Sequence, residues 1–280
     1  MVNRRDIASL VGLGAVATMA AAAPAAAQSA GKESAFDRIR RTKKLRTAVI
    51  AGGAPYYQKD ITTGEWRGFY IDMVKDLAKE MEAEPEFIES TWGNTILDLQ
   101  SDKIDLFFGV NPTPKRALVI DFSQPVFSNA FAVIAKKGHA PKTWEEMNTP
   151  DTKISVDAGS SQDAVVSRMC PKAQISRLKT ADDATAALQA GRVDAQSLIL
   201  MLSLTVKKKN PAIGDVIVPT PVFGTTSNVG FRREEDKTLR DFVNIWIDIN
   251  KGTGYIRDTI VRNMELVGVK ESDFPPGVSL

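Results

Sequence analysis

Two successive runs of alternating strand and helix signals constrain this chain most, because each run must bury an apolar face of its own. Residues 45–50 combine Leu45, Thr47, Val49 and Ile50, read as a strand, and end at Gly52 and Gly53. Residues 69–81 set Ile71, Val74, Leu77, Ala78 and Met81 on one helical face. A short strand at 85–89 and a helix at 94–100 follow, then a near-continuous apolar strand at 104–110 that suits a parallel sheet covered on both faces. The alternation restarts at 153–156, passes a helix opening at 160–163 and another over 181–190, and reaches a strand at 193–195. Apolar residues 131–135 lead into this second unit. Residues 228–231 lead back, before helices at 237–250 and 255–264. Two crossings mean an inserted unit. The expected fold class is α/β, with two lobes joined by two hinge strands and a ligand cleft beyond the carboxyl ends of the strands.

The first residues bear on compartment. Arg4 and Arg5 precede a run at 7–23 made mostly of Ala, Gly, Val and Leu, and small residues at 25–27 set a cleavage site near Ala27 and Gln28. The run is barely apolar and short for a span of roughly 20 residues, so a cleaved signal peptide is expected rather than an anchor. The paired arginines resemble a twin-arginine signal, but Asn3 stands where Ser or Thr is usual, and the general and twin-arginine routes both stay open. The expected segments are a signal peptide over 1–27, a first lobe over 28–132 plus 229–280, and a second lobe over 133–228. With 36 basic and 34 acidic side chains, no charge excess points to nucleic acid or a lipid surface as the main partner. The single cysteine, Cys170, rules out an intrachain disulfide, and with His139 as the one histidine no His/Cys zinc cluster can be assembled. No cofactor or metal is expected.

Four blocks carry a resemblance. They are Thr91-Trp92-Gly93-Asn94, then Leu99-Gln100-Ser101-Asp102-Lys103-Ile104-Asp105-Leu106, then Thr113-Pro114-Lys115-Arg116-Ala117, then Ile120-Asp121-Phe122-Ser123-Gln124-Pro125-Val126-Phe127. In that order they resemble the amino-acid branch of the periplasmic solute-binding proteins, which feed ATP-driven importers, and the likeness spans nearly the whole mature chain. Weaker matches lie at Gly68-Phe69-Tyr70-Ile71-Asp72, Ala158-Gly159-Ser160-Ser161 and Gly191-Arg192-Val193-Asp194-Ala195.

The resemblance implies that Arg116 grips the ligand carboxylate, for which a planar guanidinium fork is suited. The alternative is a surface arginine paired with Asp121. Ser160 and Ser161 match a hydroxyl pair opening a helix in the second lobe, where free N–H groups favour an anion; a plain helix cap is the competing reading. Gly109 and Asn111 complete this set, with Asn111 and Pro112 replacing the family's hydroxyl residue and N–H donor. The family's acid for the ligand α-ammonium falls on Ile199, and the stacking aromatic falls on Gly53, so the pocket is re-aimed. Asp157 stands where an apolar ligand contact is common and needs a partner if buried. Tyr56 and Trp92 are candidate walls, with Tyr57 and Phe223 behind them. The expected function is a periplasmic, monomeric binding protein for a small carboxylate, serving the membrane permease of an ABC transporter. A cyclohexadienyl dehydratase-like enzyme on the same scaffold is the alternative. A sensing lobe pair is disfavoured because the chain ends at Leu280 without a second membrane segment.

Overall fold

The computed structural model describes residues 33–274; the signal expected over 1–27 lies outside the described residues. Helix α1 (Ala35–Thr42) opens the chain, capped by the Ser34 hydroxyl, which accepts from the Asp37 N–H at 3.1 Å. Its Arg38 anchors it. The Arg38 Nε donates to Asp105 Oδ1 at 2.9 Å, Arg46 Nη2 donates to the same oxygen at 2.7 Å, and the Asp105 carboxylate is fully buried between them.

Strand β1 (Lys44–Ile50) pairs in parallel with β4 (Glu84–Ser90) after a small hairpin of β2 (Gln58–Lys59) and β3 (Trp66–Arg67) and the helix α2 (Phe69–Glu80). The apolar stripe of α2 buries Ile71, Val74, Leu77 and Ala78, as its spacing predicts. Helix α3 (Thr95–Gln100), strand β5 (Leu106–Val110) and the single turn α4 (Pro114–Ala117) follow. The long strand β6 (Ile120–Ala135) then leads into α5 (Trp144–Met147), β7 (Lys153–Asp157), α6 (Ser161–Met169), β8 (Gln174–Leu178), α7 (Ala181–Gln189), β9 (Ala195–Ile199), α8 (Leu200–Lys209) and β10 (Asp215–Ile217). Strand β11 (Gly224–Arg232) returns, and α9 (Thr238–Gly252), α10 (Tyr255–Leu266) and a 3-10 turn (Glu271–Asp273) complete the described chain.

The strand order β4-β1-β5-β11-β6-β9-β7-β8, with β10 beside β6, divides into two lobes that share β6. From Ile120 to Ala130 this strand pairs with β11, and from Phe131 to Ala135 with β9. Its last residues alternate between two cores. Phe131 and Val133 join Trp144, Met147 and Val156, whereas Ala132 and Ile134 face the larger cluster. Burial on both faces explains why this stretch reads as a continuous apolar run.

Three expectations are corrected. Strand β5 is parallel to β1 but antiparallel to β11, so its sheet is mixed rather than parallel. The strand expected at 193–195 starts only at Ala195 and runs to Ile199. Its Gln196 is buried but satisfied, accepting from the Thr185 hydroxyl at 2.9 Å and donating to the Ala181 carbonyl at 3.0 Å, which breaks the apolar signature. Helix α8 was not expected because residues 200–205 are buried all round, leaving no amphipathic period.

Candidate functional site

Arg116 is placed by local chemistry. Thr113 caps α4 by accepting the Arg116 N–H at 3.2 Å, and Pro114 occupies the first helical position, where its missing N–H costs nothing. From there the guanidinium reaches inward. Its Nη1 donates to the Asn111 carbonyl at 2.9 Å, and its Nη2 to the Gly159 carbonyl at 3.2 Å on the other side of the cleft. Burial holds Arg116 below the usual guanidinium range, against the pull of the Asp157 charge. Asp121 is not its partner: that carboxylate is engaged by Lys237 and by Arg233.

The second lobe meets this cation with a helix start. Gly159 turns the chain at φ +74°, and Ser160 caps α6 by accepting the Asp163 N–H at 3.1 Å. Ser160 is therefore a cap as well as a wall of the cleft. The Ser161 hydroxyl lies 2.8 Å from both Asn111 Oδ1 and Gln162 Oε1. Asn111 in turn donates to the Thr226 carbonyl at 3.0 Å, so one amide ties β11 to the second lobe. Closer still, a Cβ at Gly93 would collide with the Ala158 carbonyl. The lobes touch here.

These groups enclose a cavity of about 30 Å³ to which Tyr56, Trp92, Gly109, Asn111, Arg116, Ser160, Ser161 and Ile199 all contribute. Arg116 is the one charged side chain among the described residues lining it. Gly109 has φ +98°, and a Cβ there would stand 2.9 Å from the Tyr70 ring and 3.1 Å from Trp92, so only glycine lets these rings close the wall. The Tyr56 hydroxyl accepts from Asn129 Nδ2 at 2.7 Å, and its ring meets Trp92 edge-on at 6.0 Å. Tyr57 does not line the cavity; it is buried and donates to the Phe108 carbonyl at 2.8 Å. Phe223 packs on Trp144 instead.

Sequence reasoning missed Asn129 and Ser227, which form the cavity floor from β6 and β11. Their signal was present. Both are buried polar residues on the crossing strands.

A second cavity of about 520 Å³ adjoins the first, with Trp92 and Leu202 lining both. Gly53 and Asp157 line this second space rather than the first. Asp157 ends β7 with 3% exposure, and neither carboxylate oxygen makes a well-formed hydrogen bond, though its own backbone N–H and the Ser160 hydroxyl lie close enough to act on its charge. Burial pushes its carboxyl up to about 6, against the weaker pull of its own backbone N–H, Ser160 and Arg116. Together the two spaces present a guanidinium and a buried acid.

Residues 45–261 match the family described as bacterial extracellular solute-binding proteins, family 3. The chain is 26% identical over 199 residues to the ABC transporter arginine-binding protein 1 of Escherichia coli K12, covering 70% of this chain and 80% of that one. It is 23% identical over 256 residues to the cyclohexadienyl dehydratase of Pseudomonas aeruginosa, covering 90% and 93% of the two chains. Among solved structures it is similar to an ancestral amino acid-binding protein, a precursor of cyclohexadienyl dehydratase, with a TM-score of 0.75 and 28% identity over 82% of this chain and 100% of that one.

Proposed function

The chain belongs to the bacterial extracellular solute-binding proteins of family 3, and from that premise we propose that it is the exported binding component of an ABC importer. Its ligand is an amino acid, an amino-acid derivative or a related small carboxylate. One observation carries this reading. Arg116 is a half-buried guanidinium that no carboxylate among the described residues ion-pairs, and among those residues it is the only charge lining a cavity too small for more than a head group. A ligand carboxylate would receive its fork, with the Ser161 hydroxyl and the start of α6 on the opposite wall.

In this reading residues 1–27 are the export signal and the protein works in the periplasm as a monomer beside its permease. Residues 28–132 plus 229–280 form one lobe and 133–228 the other, and they rotate about the two crossing strands. Arg116 and Asn111 approach the ligand from the first lobe, Ser160 and Ser161 from the second. The test is to denature freshly purified protein, identify the released small molecule by mass spectrometry and rebind it. A carboxylate that rebinds one to one supports the reading; a released molecule with no acidic group overturns it.

One observation favours a second reading. Asp157 is a cleft carboxyl that burial pushes up to about 6, the range of a general acid, and a dehydratase is among the relatives. Binding is preferred because the matched family is one of solute-binding proteins. Incubation with prephenate or arogenate separates the two: turnover lost in Asp157→Asn would establish the enzyme.

A further inference from the structure

The two adjoining cavities carry opposite charges, and neither charge is answered within its own space. In the first, the surfaces that an amine beside the clamped carboxylate would meet include Ile199, Leu202 and Phe107, and no acid lines it among the described residues. An ammonium held there would lie near Arg116 with no counter-charge, an arrangement that burial makes costly. Its volume of about 30 Å³ admits a carboxylate and little more, since a water-sized group needs roughly 10 to 15 Å³ of such space.

The second cavity is the reverse. At about 520 Å³ it has room for the body of a ligand. Glu89, Lys179, Asp182 and Lys209 stand at its exposed edges, and Glu89 is paired with Lys59 at 2.9 Å, so solvent and salt weaken their fields. Among the described residues lining it Asp157 alone is a buried charge, with neither oxygen in a well-formed hydrogen bond. Any apolar side chain of similar size would avoid this cost; an acid kept in such a place is answered when a donor arrives.

We propose that the second cavity is a cation subsite built on Asp157, and that the protein selects carboxylates whose amino or guanidino group is carried away from the α carbon. The carboxylate sits on Arg116, the chain passes Trp92 and Leu202, and the cation meets Asp157. This rests on the reading of Arg116 as the carboxylate anchor.

The test is calorimetry with four probes of one length: hexanoate and α-, γ- and ε-aminohexanoate, with γ-guanidinobutanoate as a guanidino probe. The γ- or ε-amine, or the guanidino acid, is expected to bind about tenfold or more tightly than hexanoate and the α-amine. Asp157→Asn should erase that advantage while leaving hexanoate within roughly a factor of two. Ile199→Asp, which puts an acid into the first cavity, should move the preference toward α-aminohexanoate. Tightest binding by α-aminohexanoate to the unaltered protein, or an Asp157→Asn series that keeps the distal preference, overturns the proposal. So does an equal loss across all probes, hexanoate included, which marks a merely structural acid. If every probe binds Arg116→Ala as well as the unaltered protein, or none binds either, the carboxylate reading itself fails and the subsite falls with it.

Discussion

Replacing Asp157 by Asn should make the ligand-free protein more stable at neutral pH. The carboxyl is raised from its ordinary 3.8 to about 6 in the folded state, a difference that corresponds to about 3 kcal/mol at roughly 1.4 kcal/mol per decade. The sign follows from which state binds the proton. Because the folded value lies above the unfolded one, the stability associated with the neutral acid is complete below about 3.8 and is lost as pH rises through about 6. Above that the folded protein carries an ionised, unpartnered oxygen pair. Asparagine keeps the shape without the charge. Urea unfolding in the absence of ligand should therefore show the variant up to about 3 kcal/mol more stable at about pH 7.5, and the two proteins nearly equal at about pH 4. The other charges facing this site are Arg116, Asp163, Asp182, Glu89, Lys179 and Lys209; the pull of Arg116 and the push of Asp163 on the ionised carboxylate are already contained in its raised value. Equal stabilities at neutral pH, or a gain that does not fade on acidification, would refute the argument.

Arg116→Ala should weaken a bound carboxylate by about 2 to 5 kcal/mol in calorimetry while the fold survives, since a desolvated charge pair loses about that much when truncated. Gly93→Val should hold the cleft ajar, because its side chain collides with the Ala158 backbone; small-angle scattering should then show a larger radius of gyration than the unaltered protein at saturating ligand. Asp105→Ala should cost about 3 kcal/mol in urea unfolding, because it removes the fully buried carboxylate that Arg38 and Arg46 share and leaves Arg46 only its pair with Asp102. Ligand at about 100 times its dissociation constant should raise stability by roughly 2.7 kcal/mol, read as a thermal shift that Arg116→Ala abolishes.

Much of this was legible because the decisive groups lie in short contiguous stretches. Thr113, Pro114 and Arg116 are cap, first turn and proposed clamp within four positions, and Gly159 with Ser160 marks a turn and a helix start. What was hidden depends on pairing across long separations. Strand β11 inserts between β5 and β6 from far along the chain, which makes the sheet mixed and brings Ser227 and Asn129 to one cavity. The placement of Asp157 was hidden for another reason. A strand buried on both faces gives no alternation to say which way a side chain points, so only the packed lobe decides that it lines the larger space.

Strand β6 changes partner between Ala130 and Phe131, beside the floor residue Asn129. Under the proposed closure that change marks the fulcrum, where displacement is smallest and the lever arms begin. Asn129 and Ser227 would meet a ligand equally well with the jaws open or shut, and contacts equal in both states shift no equilibrium. Work toward closing must come from groups far out on the arm: the Ser161 hydroxyl that meets Asn111, and the Gly159 carbonyl that the Arg116 fork reaches. Floor substitutions would then change how tightly ligand is held without changing the closed fraction at saturation, whereas substitutions at the tips would change what the permease sees.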